Sequence, residues 1–316
     1  MPRVALLLLS YRNPVFIRDA LLSVQEQTAL DRIAHIRLCD DGSKDGTVES
    51  ARGAWTHSAP LRIDAAEANR GEATNLNQAL ANLGDEGYDW VLLLHDDDLA
   101  KPHWIECMLP LVESCSPRTG LISSSWDTFF ADGRLEPGED DPSRPPQLVE
   151  AGEQSIRETL LRGCWWHISG CALRLSAVRE VGDCRSFYQG DLEWFLRFLS
   201  QGWSALYLPR TLIVYRRHDA CQSAASFERA EDITSLPRIA RAYASKLQLG
   251  ELAEIHLRRI ALGCRRSVTS LVRLRFDRAG RSLAAAVSAA GNFVWCLKLR
   301  LSERAHRSGG SAHPVR

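Results

Sequence analysis

Short apolar runs alternate with stretches of helical periodicity along the first hundred residues of the chain. Two of the runs, Val4–Leu9 and Trp90–Leu94, are continuously apolar, as expected of strands covered on both faces. Helical spacing begins after each of the first three runs, at Pro14, Asp45 and Gly71. The four predicted strands are Val4–Leu9, Ile33–Cys39, Leu61–Ala65 and Trp90–Leu94. Strands that alternate with helices in this way predict an α/β fold with a largely parallel sheet.

Three of the predicted strands end in clusters of polar residues. The clusters are Ser10–Asn13, Asp40–Ser43 and His95–Asp98. In open α/β sheets, ligands bind in the crevice beyond the carboxyl ends of the strands. Tightly packed carboxylate oxygens suit Mg²⁺ or Mn²⁺, either of which can bridge a pair of phosphates. One acid would be enough to cap the next helix, so three adjacent acids favour a metal–diphosphate site over a helix cap.

The distribution of charge suggests a partner for the C-terminal part of the chain. With 316 residues, the chain is long enough for one large domain or two modest ones. Residues 238–316 contain 16 Lys and Arg against 4 Asp and Glu, so they carry +12 and the preceding 237 residues carry −12. Such a basic region favours an anionic partner, either a membrane or a nucleic acid. Its few aromatic residues argue against a nucleic acid, while packing on the acidic part of the chain or on a second subunit, as in a homo-oligomer, stays an alternative.

The cysteines and the apolar runs indicate the cellular compartment of the protein. None of the nine cysteines forms a C-x-x-C pair, which favours reduced thiols in the cytosol. The first apolar run is too short for a signal-peptide core, and no run reaches the roughly 18 apolar residues of a membrane span. The stretch Leu283–Leu297 is interrupted by Ser288, Gly291 and Asn292. We expect a cytoplasmic protein that does not cross a bilayer, but contacts the inner face of the cell membrane through its C-terminal region.

Four sequence motifs follow one another, each at a strand end or a helix start. They are "LLLLSYRNP", "CDDGSKDGT", "NRGEATNLN" and "HDDDL". Together they resemble the motifs of the family 2 inverting glycosyltransferases of GT-A fold, over about two-thirds of the chain, from Val4 to Ser223. The resemblance implies an α/β fold with a Rossmann-like, mostly parallel central sheet flanked by helices. This chain adds a basic, helical C-terminal extension to that fold.

The resemblance also implies a nucleotide site at the ends of the first strands. It places Tyr11 near the nucleotide base and Asp40 in contact with the base, whereas Asp41 to Ser43 shape the turn. The residues that it assigns to nucleotide binding are Ser10, Tyr11, Asn13, Asp40, Asn69, Gly71, Asn75, Asp96 and Asp97.

In the acidic element of the family, one Asp meets the ribose and the last Asp binds a divalent cation. The usual form is D-x-D-D, and His95 occupies the first position here. Two registers are left open, Asp96-x-Asp98 and Asp97-Asp98, and Asp98 is the metal ligand in both. The resemblance therefore implies Mn²⁺ or Mg²⁺ as the cofactor, with Asp98 and Asp96 among its ligands.

A later segment, "LIVYRRHDACQS", resembles the family's Y-R-x-H motif near the end of the catalytic domain. The resemblance implies that His218 is a third metal ligand or a contact to the diphosphate. It also implies that Arg216 or Arg217 holds a phosphate oxygen.

The acceptor side of the family is matched by "GDLEW", which opens a predicted helix. An inverting transfer needs one base that deprotonates the acceptor hydroxyl, and a carboxylate aimed into the cleft can fill that role. The family's base matches Asp191, and Glu193 is the alternative. Either residue could instead serve the helix N-terminus as a cap or first-turn acid. The rings of Trp126, Trp165 and Trp166 line either the core or a sugar-binding surface.

We expect residues 1–223 to form the catalytic domain, with a nucleotide-sugar half at 1–105 and an acceptor half at 106–223. Residues 224–316 then form a basic helical region. The stretch 131–154 shows no periodicity and is rich in Asp, Glu, Pro and Gly, which predicts a loop.

The expected function is a metal-dependent, inverting transfer from a nucleotide-diphosphate sugar, uridine or thymidine based, to a hydroxyl group. The acceptor is a glycan or lipid-linked glycan of a bacterial surface polysaccharide. One alternative is a sugar nucleotidyltransferase, but the turn after the first strand lacks the glycines that such an enzyme needs. The other alternative is a non-catalytic subunit that binds nucleotide sugars.

Overall fold

A computed structural model describes residues 1–218 and 221–309, with only the backbone for residue 222 and residues 303–309. Positions 219 and 220 of the predicted Y-R-x-H segment, and the last seven residues of the basic tail, lie outside the described residues. The described part contains a mixed sheet. Its strands are β1 Val4–Ser10, β2 His35–Asp40, β3 Leu61–Ala65, β4 Trp90–His95, β5 Leu99–Ala100, β6 Thr119–Phe130, β7 Leu135–Glu136, β8 Gln147–Val149, β9 Ala172–Arg174 and β10 Ser204–Arg217.

Helices connect the strands and continue beyond the sheet. They are α1 Phe16–Gln25, α2 Thr47–Ala54, α3 Glu72–Asp85, α4 Trp104–Ser114, α5 Glu153–Arg162, α6 Leu175–Val181, α7 Gly190–Ser200, α8 Gln222–Glu228, α9 Glu231–Ala242, α10 Leu249–Val272 and α11 Phe276–Gly309. The predicted strands and helices of the first hundred residues are confirmed, with ends that shift by one or two residues. The strand β2 begins at His35 because a 3₁₀ turn, Leu30–Arg32, precedes it.

The sheet is parallel where strands and helices alternate in the sequence. Its order is β3-β2-β1-β4-β9-β6-β10-β5, and β3, β2, β1 and β4 run parallel to one another. The strand β9 is antiparallel to both of its neighbours, and β6 and β10 are parallel again. The register pairs Ser10 with Asp40 and Leu9 with His95. The predicted α/β fold is therefore confirmed, and three polar strand ends lie side by side.

The core explains why the apolar runs are continuous. Every residue of β1 is buried, and so are the first five residues of β4. Alternate side chains such as Leu6, Leu8, Leu92 and Leu94 contribute to one cluster with the apolar faces of α1 and α4. Full burial of each such side chain contributes roughly 1.5–3 kcal/mol. The strand ends are thus attached to the most deeply buried part of the molecule.

The stretch 131–154, predicted as a loop, contains two short strands and the start of a helix. The strand β7 pairs with β6, and β8 pairs with β10, both in antiparallel orientation. Each is only two or three residues long, so neither leaves a periodic pattern in the sequence. Their pairing depends on long strands that come from elsewhere in the chain.

The chain divides into two compact units. The first comprises residues 1–155, 164–186 and 190–218, and it contains the whole sheet. The second comprises residues 156–163, 187–189 and the described residues from 221 to 309. The assignment of nucleotide and acceptor halves to particular ranges stays a prediction.

The second unit is helical, which confirms the predicted extension. Its longest helices, α10 and α11, form an antiparallel hairpin joined by three residues. They approach closely at Gly263, where an added Cβ would lie 2.8 Å from the Cβ of Ala286 and 2.9 Å from the carbonyl oxygen of Ser282. The part of α11 from Phe276 to Ser302 is long and apolar enough to cross a membrane by length and composition, a test that core helices of soluble proteins also pass. A membrane-spanning segment was not predicted from the sequence, because polar residues interrupt the apolar stretch in this helix.

Candidate active site

The first polar strand end forms a closed turn around Asp40. Its carboxylate accepts hydrogen bonds from the backbone N–H of Ser43 at 2.8 Å and from the Ser43 hydroxyl at 2.6 Å. The Ser10 hydroxyl, on the neighbouring strand, donates to the same carboxylate at 3.4 Å. Asp40 is almost completely buried. The structure thus brings the predicted residues Ser10 and Asp40 together.

The next residue, Asp41, holds the loop that carries two other predicted nucleotide ligands. Its carboxylate accepts hydrogen bonds from Asn69 Nδ2 at 2.9 Å and from the backbone N–H groups of Arg70 and Gly71 at 2.9 and 2.8 Å. Asp41 was predicted to shape the turn after β2, whereas its side chain holds the neighbouring loop at residues 69–71. Asn69 and Gly71 are therefore fixed beside the end of β2.

The close approach of this loop requires a glycine at position 42. Gly42 has a φ of +78°, and an added Cβ would lie 2.5 Å from the carbonyl carbon of Ala68. A predicted nucleotide ligand nearby, Asn75, is buried and donates from Nδ2 to the carbonyl oxygen of Cys39 at 2.9 Å. In this structure Asn75 joins α3 to β2.

The three aspartates at the end of β4 point in different directions. Asp96 faces the turn after β1, where it accepts hydrogen bonds from the backbone N–H of Tyr11 at 3.0 Å and from Asn13 Nδ2 at 3.1 Å. Burial, together with the charge of Asp97, raises the pKa of Asp96 to about 7. Tyr11 is 40% exposed, and the guanidinium of Arg12 lies 5.3 Å from the centre of its ring. Asp96, Tyr11 and Asn13 thus form one cluster on the predicted nucleotide side.

The other two aspartates form a group with His95. One ligand atom from each of His95, Asp97 and Asp98 lies within 4.8 Å of the others. Asp98 Oδ1 accepts a hydrogen bond from the backbone N–H of Arg216 at 3.0 Å. Within the described residues, the buried atoms Asp98 Oδ2 and His95 Nε2 have no hydrogen-bond partner. Buried polar atoms normally have hydrogen-bond partners, so these two atoms are candidates to bind an ion or a water molecule.

The electrostatics of this group also favour a cation. Burial and the charge of Asp97 raise the pKa of Asp98 to about 7. Burial lowers the pKa of His95, but the carboxylates of Glu72, Asp97 and Asp98 outweigh it and leave that pKa raised. Carboxylate oxygens and an imidazole suit Mn²⁺, and the oxygens suit Mg²⁺. The residues present therefore fit a divalent cation, although Asp97 rather than Asp96 accompanies Asp98.

Residues at the end of β10 also contact this group. His218 Nε2 lies 3.3 Å from Asp97 Oδ2, and the hydrogen bond between them raises the pKa of His218. Arg216 donates from Nε to the carbonyl oxygen of Asp97 and from Nη1 to Asp19. The ring of Phe16 packs against both side chains, 4.6 Å from the Arg216 guanidinium and 4.8 Å from the His218 ring.

The two predicted phosphate-binding arginines differ in their surroundings. Arg216 is buried, and its Nη2 has no hydrogen-bond partner among the described residues. The guanidinium of Arg217 lies 5.5 Å from the centre of the Phe130 ring. Arg216 therefore positions the acidic group directly and retains one free donor.

The two candidate bases at the start of α7 have different environments. Glu193 is buried between two arginines, with distances of 3.1 Å to both Arg185 and Arg197. Asp191 makes no ion pair within the described part of the chain. Burial raises the pKa of Asp191, opposed in part by a hydrogen bond from the backbone N–H of Leu192. Only Asp191 therefore presents an uncompensated carboxylate.

Glu193→Gln should lower the free energy of unfolding by about 2 kcal/mol, because hydrogen bonds to charged groups contribute roughly 1.5–3 kcal/mol each. The well-buried Arg197 accounts for most of this, since the exposed Arg185 is screened by solvent. Urea denaturation measures the change. Glu180→Gln, which breaks an exposed pair with Arg118, is the control and should cost at most about 1 kcal/mol. An unchanged stability with lost turnover would instead assign the base to Glu193.

His167 belongs to a group of packed aromatic rings. The ring of His167 packs against those of Tyr215 and Trp126, at 4.5 and 5.3 Å. Burial lowers the pKa of His167, and the charges of both His95 and Asp191 act on it. His167 is therefore close enough to both to connect them electrostatically.

The tryptophans of the acceptor region belong mainly to the core. Trp166 is buried, with its ring against those of Trp194 and Phe195. The ring of Trp165 packs edge-on against Phe195 and Tyr207. These two rings therefore support α7.

Two contacts to the acidic group could not be read from the sequence. The Ser169 hydroxyl accepts a hydrogen bond from the backbone N–H of His95 at 3.0 Å. Glu72 Oε1 lies 3.7 Å from His95 Nε2. A single serine in a run of small residues gives no signal of a contact 74 residues away. Glu72 lies inside a matched motif, but at one of its variable positions.

A cavity of about 510 Å³ lies in the second unit and holds none of the predicted site residues. Its lining combines leucines and isoleucine with arginines of α5 and α10. The candidate active site at the strand ends therefore does not coincide with this cavity.

The fold defines a class of protein. Solved GT-A glycosyltransferases resemble the chain over most of its length, and at these identities the likeness shows the fold alone. A mannosyltransferase from Pyrobaculum calidifontis, in complex with GDP-Man and Mn²⁺, is 16% identical with a TM-score of 0.57, covering 93% of this chain and 87% of its own. S. aureus TarS 1-349 is 14% identical with a TM-score of 0.50, covering 90% of each chain. Glucosyl-3-phosphoglycerate synthase from Mycobacterium tuberculosis, with Mg²⁺ and UDP, is 13% identical with a TM-score of 0.50, covering 78% of this chain and 79% of its own.

The sequence then identifies the family. The family described as glycosyl transferase family 2 matches residues 6–164, about half of the chain. The chain belongs to this family of glycosyltransferases. No curated protein matches the chain.

Proposed function

We propose that the protein is a metal-dependent, inverting glycosyltransferase that moves a sugar from a nucleotide-diphosphate sugar to a hydroxyl of a glycan or lipid-linked glycan. The observation that carries the proposal is the pairing of two unlike carboxylate sites in one unit. One is the group His95, Asp97 and Asp98, with two buried atoms that lack partners among the described residues. The other is Asp191, a carboxylate with raised pKa and no ion pair among the described residues.

The acidic group is proposed to hold Mn²⁺ or Mg²⁺. Asp97 and Asp98 would be the oxygen ligands and His95 a nitrogen ligand, and His218 is hydrogen-bonded to Asp97. When bound, such a cation neutralises the charge that develops on a leaving diphosphate. Arg216 holds the backbone and side chain of the two aspartates in place through its N–H and Nε. Its free Nη2 is proposed to donate to a phosphate oxygen.

The donor nucleotide is proposed to lie over the turns after β1 and β2. The exposed Tyr11 ring would stack on the base, and Asp96 is held where it can accept from a ribose hydroxyl. The fixed loop of Asn69 and Gly71 would close the other side. Uridine and thymidine diphosphates are proposed as the carriers; among the similar structures, one contains UDP and another contains GDP-Man.

Asp191 is proposed to act as the general base. Its carboxylate would take the proton of the acceptor hydroxyl while the hydroxyl oxygen forms a bond to the anomeric carbon. The bond from that carbon to the diphosphate oxygen breaks on the opposite face, so the configuration inverts and a nucleoside diphosphate leaves. Burial without a positive partner keeps Asp191 a stronger base than a solvated aspartate.

The acceptor is proposed to be part of a bacterial surface polysaccharide, assembled in the cytoplasm at the inner face of the membrane. The charge of +12 after residue 237 supports an acceptor presented at an anionic surface. The sequence is also compatible with a homo-oligomer.

Donor hydrolysis tests catalysis without knowledge of the acceptor. Uridine and thymidine diphosphate sugars incubated with the protein and Mn²⁺ should release nucleoside diphosphate slowly, and chelation by EDTA should stop the release. Binding of a donor by calorimetry with no release, even with glycan acceptors added, would identify a non-catalytic subunit. Consumption of nucleoside triphosphate with release of pyrophosphate would identify a nucleotidyltransferase.

A further inference from the structure

The connection between α10 and α11 exposes a cluster of large apolar side chains. We call residues 268–278 the hairpin tip. Val272 and Leu274 are 79% and 74% exposed, and Phe276 is 64% exposed. Val268 and Leu271 in the last turns of α10 are also exposed. Solvent-exposed apolar side chains are normally scattered singly, and a contiguous cluster of this kind marks an interaction surface.

The exposed apolar positions of α10 form a stripe on the side away from its packed face. Leu257, Cys264, Val268 and Leu271 are exposed and recur at steps of seven, four and three residues. The residues that α10 buries lie on the other side: Leu252, Ile255, His256, Gly263, Ser267 and Ser270. An apolar stripe of this spacing would normally face a core. Here α10 has a second apolar stripe that is not packed against any described part of the chain.

The helix α11 has the same property. Its small residues Ala279, Ser282, Ala286 and Ala289 are buried. Its larger apolar residues Phe276, Leu283, Val287 and Val294 are exposed and recur at helical spacing. The helix α11 therefore buries mainly small side chains and presents larger ones to the surroundings. The second half of α10 does the same, since it buries Gly263, Ser267 and Ser270 and exposes Val268 and Leu271.

Basic residues lie within the hairpin tip and around it. The segment "VRLRF", residues 272–276, alternates exposed apolar residues with Arg273 and Arg275. The side chains of these two arginines make no hydrogen bond or ion pair within the described part of the chain. Residues 249–302 contain ten basic and three acidic side chains. The apolar cluster is therefore embedded in a surface that attracts anions.

The combination of apolar and basic side chains indicates which kind of partner the hairpin tip binds. A second copy of the chain would bring the same patch against itself, because a twofold interface is self-complementary. That arrangement places Arg273 and Arg275 near their own copies, which is unfavourable. A nucleic acid offers phosphates, but its bases stack on aromatic rings, and Phe276 is the only aromatic residue of the tip. An anionic lipid surface offers both headgroup phosphates and an apolar layer.

We propose that the hairpin tip inserts into the surface of a membrane that contains anionic phospholipids. Val272, Leu274 and Phe276 enter the boundary between headgroups and acyl chains, while Arg273 and Arg275 bind headgroup phosphates. The contact is peripheral, because the small-residue side of α11 is already packed in the second unit. This inference goes beyond the proposed reaction and does not depend on it. It places the membrane contact at residues 268–278, upstream of the stretch Leu283–Leu297 that the sequence suggested.

Co-sedimentation of the full chain with lipid vesicles tests the proposal. The wild-type protein should bind vesicles of phosphatidylcholine with phosphatidylglycerol at low salt, and should bind phosphatidylcholine alone much more weakly. High salt should release most of it, because the headgroup attraction is screened. Hydrogen exchange on the vesicles should show new protection at residues 268–278. Protection elsewhere, or equal binding to both kinds of vesicle, would overturn the proposal.

Variants separate the apolar and the basic contributions. Leu274→Glu with Phe276→Glu should lower the ratio of bound to free protein at least about 100-fold, since two large apolar side chains can no longer be buried. Arg273→Gln with Arg275→Gln should lower the ratio roughly 10-fold to 30-fold. The matched controls are Leu249→Glu at the far end of α10 and the pair Arg52→Gln with Arg179→Gln in the first unit. These residues are also exposed, and their variants should bind like the wild type.

Three further outcomes would contradict the proposal. Binding of the tip variants equal to that of the wild type would remove the tip from the contact. Resistance of the bound protein to alkaline carbonate extraction would indicate that α11 spans the bilayer. A dimer in analytical ultracentrifugation without lipid that Leu274→Glu dissociates would assign the tip to a second copy of the chain. Circular dichroism spectra and donor binding of the tip variants should match the wild type, because no tip residue lies in the proposed site.

Discussion

Asp98→Asn should abolish Mn²⁺-dependent binding of the donor and lower turnover at least about 10³-fold, because a metal-bound diphosphate gains several kcal/mol of charge stabilisation. Asp98 is buried at the end of β4 with one carboxylate oxygen on the Arg216 N–H and the other without a partner among the described residues. The asparagine keeps the first contact and loses the charge. Calorimetric titration with nucleoside diphosphate, with and without Mn²⁺, measures the effect.

The fold of this variant should be intact. Asp98 lies next to other carboxylates, and burial with the charge of Asp97 raises its pKa to about 7, so a neutral side chain relieves repulsion in the metal-free protein. The thermal midpoint without metal should therefore not fall. Asp64→Asn, on β3 and paired with Arg37, is a control that should keep the metal dependence. If Asp98→Asn bound nucleoside diphosphate with unchanged Mn²⁺ dependence, the metal assignment would be wrong.

Asp191→Asn should lower kcat by about 10²–10⁴-fold, the usual contribution of a general base, and should leave the dissociation constant of the donor nearly unchanged. The base acts on the acceptor during the reaction, and the asparagine has almost the same shape as the aspartate. Single-turnover kinetics and calorimetry separate the two effects. A variant with near wild-type kcat would require another base.

The pH dependence provides an independent readout for Asp191. The ionised carboxylate is the active form, so kcat should fall as the pH drops through the pKa of Asp191. Burial raises this pKa, so the fall should lie above the value of about 4 of a solvated aspartate. Measured with saturating Mn²⁺ and donor, which keep the proposed metal and nucleotide sites occupied, the same limb should be absent in Asp191→Asn and present in Glu193→Gln. A wild-type profile that is flat down to pH values near 4 would contradict the assignment.

The sequence predicted the part of the site that depends on the sheet. A short continuous apolar run such as Val4–Leu9 is typical of a strand covered on both faces, and parallel strands place their carboxyl ends at one edge. The polar residues after those strands had to meet there, and the register of Ser10 with Asp40 shows that they do. The meeting of the polar strand ends at one edge of the sheet was therefore predictable from the sequence.

The directions of neighbouring side chains in a turn were not predictable. Asp96, Asp97 and Asp98 are adjacent, yet the first faces Asn13 and the second faces His218. Their orientations are fixed by backbone groups of Tyr11 and Arg216, which are distant in the sequence. A pattern of residue types does not contain this information.

The strands β7 and β8 were missed for a related reason. Both are too short to show alternation, and both exist because β6 and β10 offer free backbone groups. The loop prediction for residues 131–154 followed from local composition alone. Structure that is imposed by a distant partner leaves little trace in such composition.

The position of Phe16 would couple the proposed base-binding site to the proposed cation site. This residue begins α1 directly after the turn of Tyr11 and Asn13, and its ring packs against both Arg216 and His218. A ligand that orders the turn also restricts Phe16, and through it the side chains beside the acidic group. Linkage of this kind is reciprocal, so each partner strengthens the other by the same factor. The donor's nucleoside would then help to recruit the cation, although the two never touch.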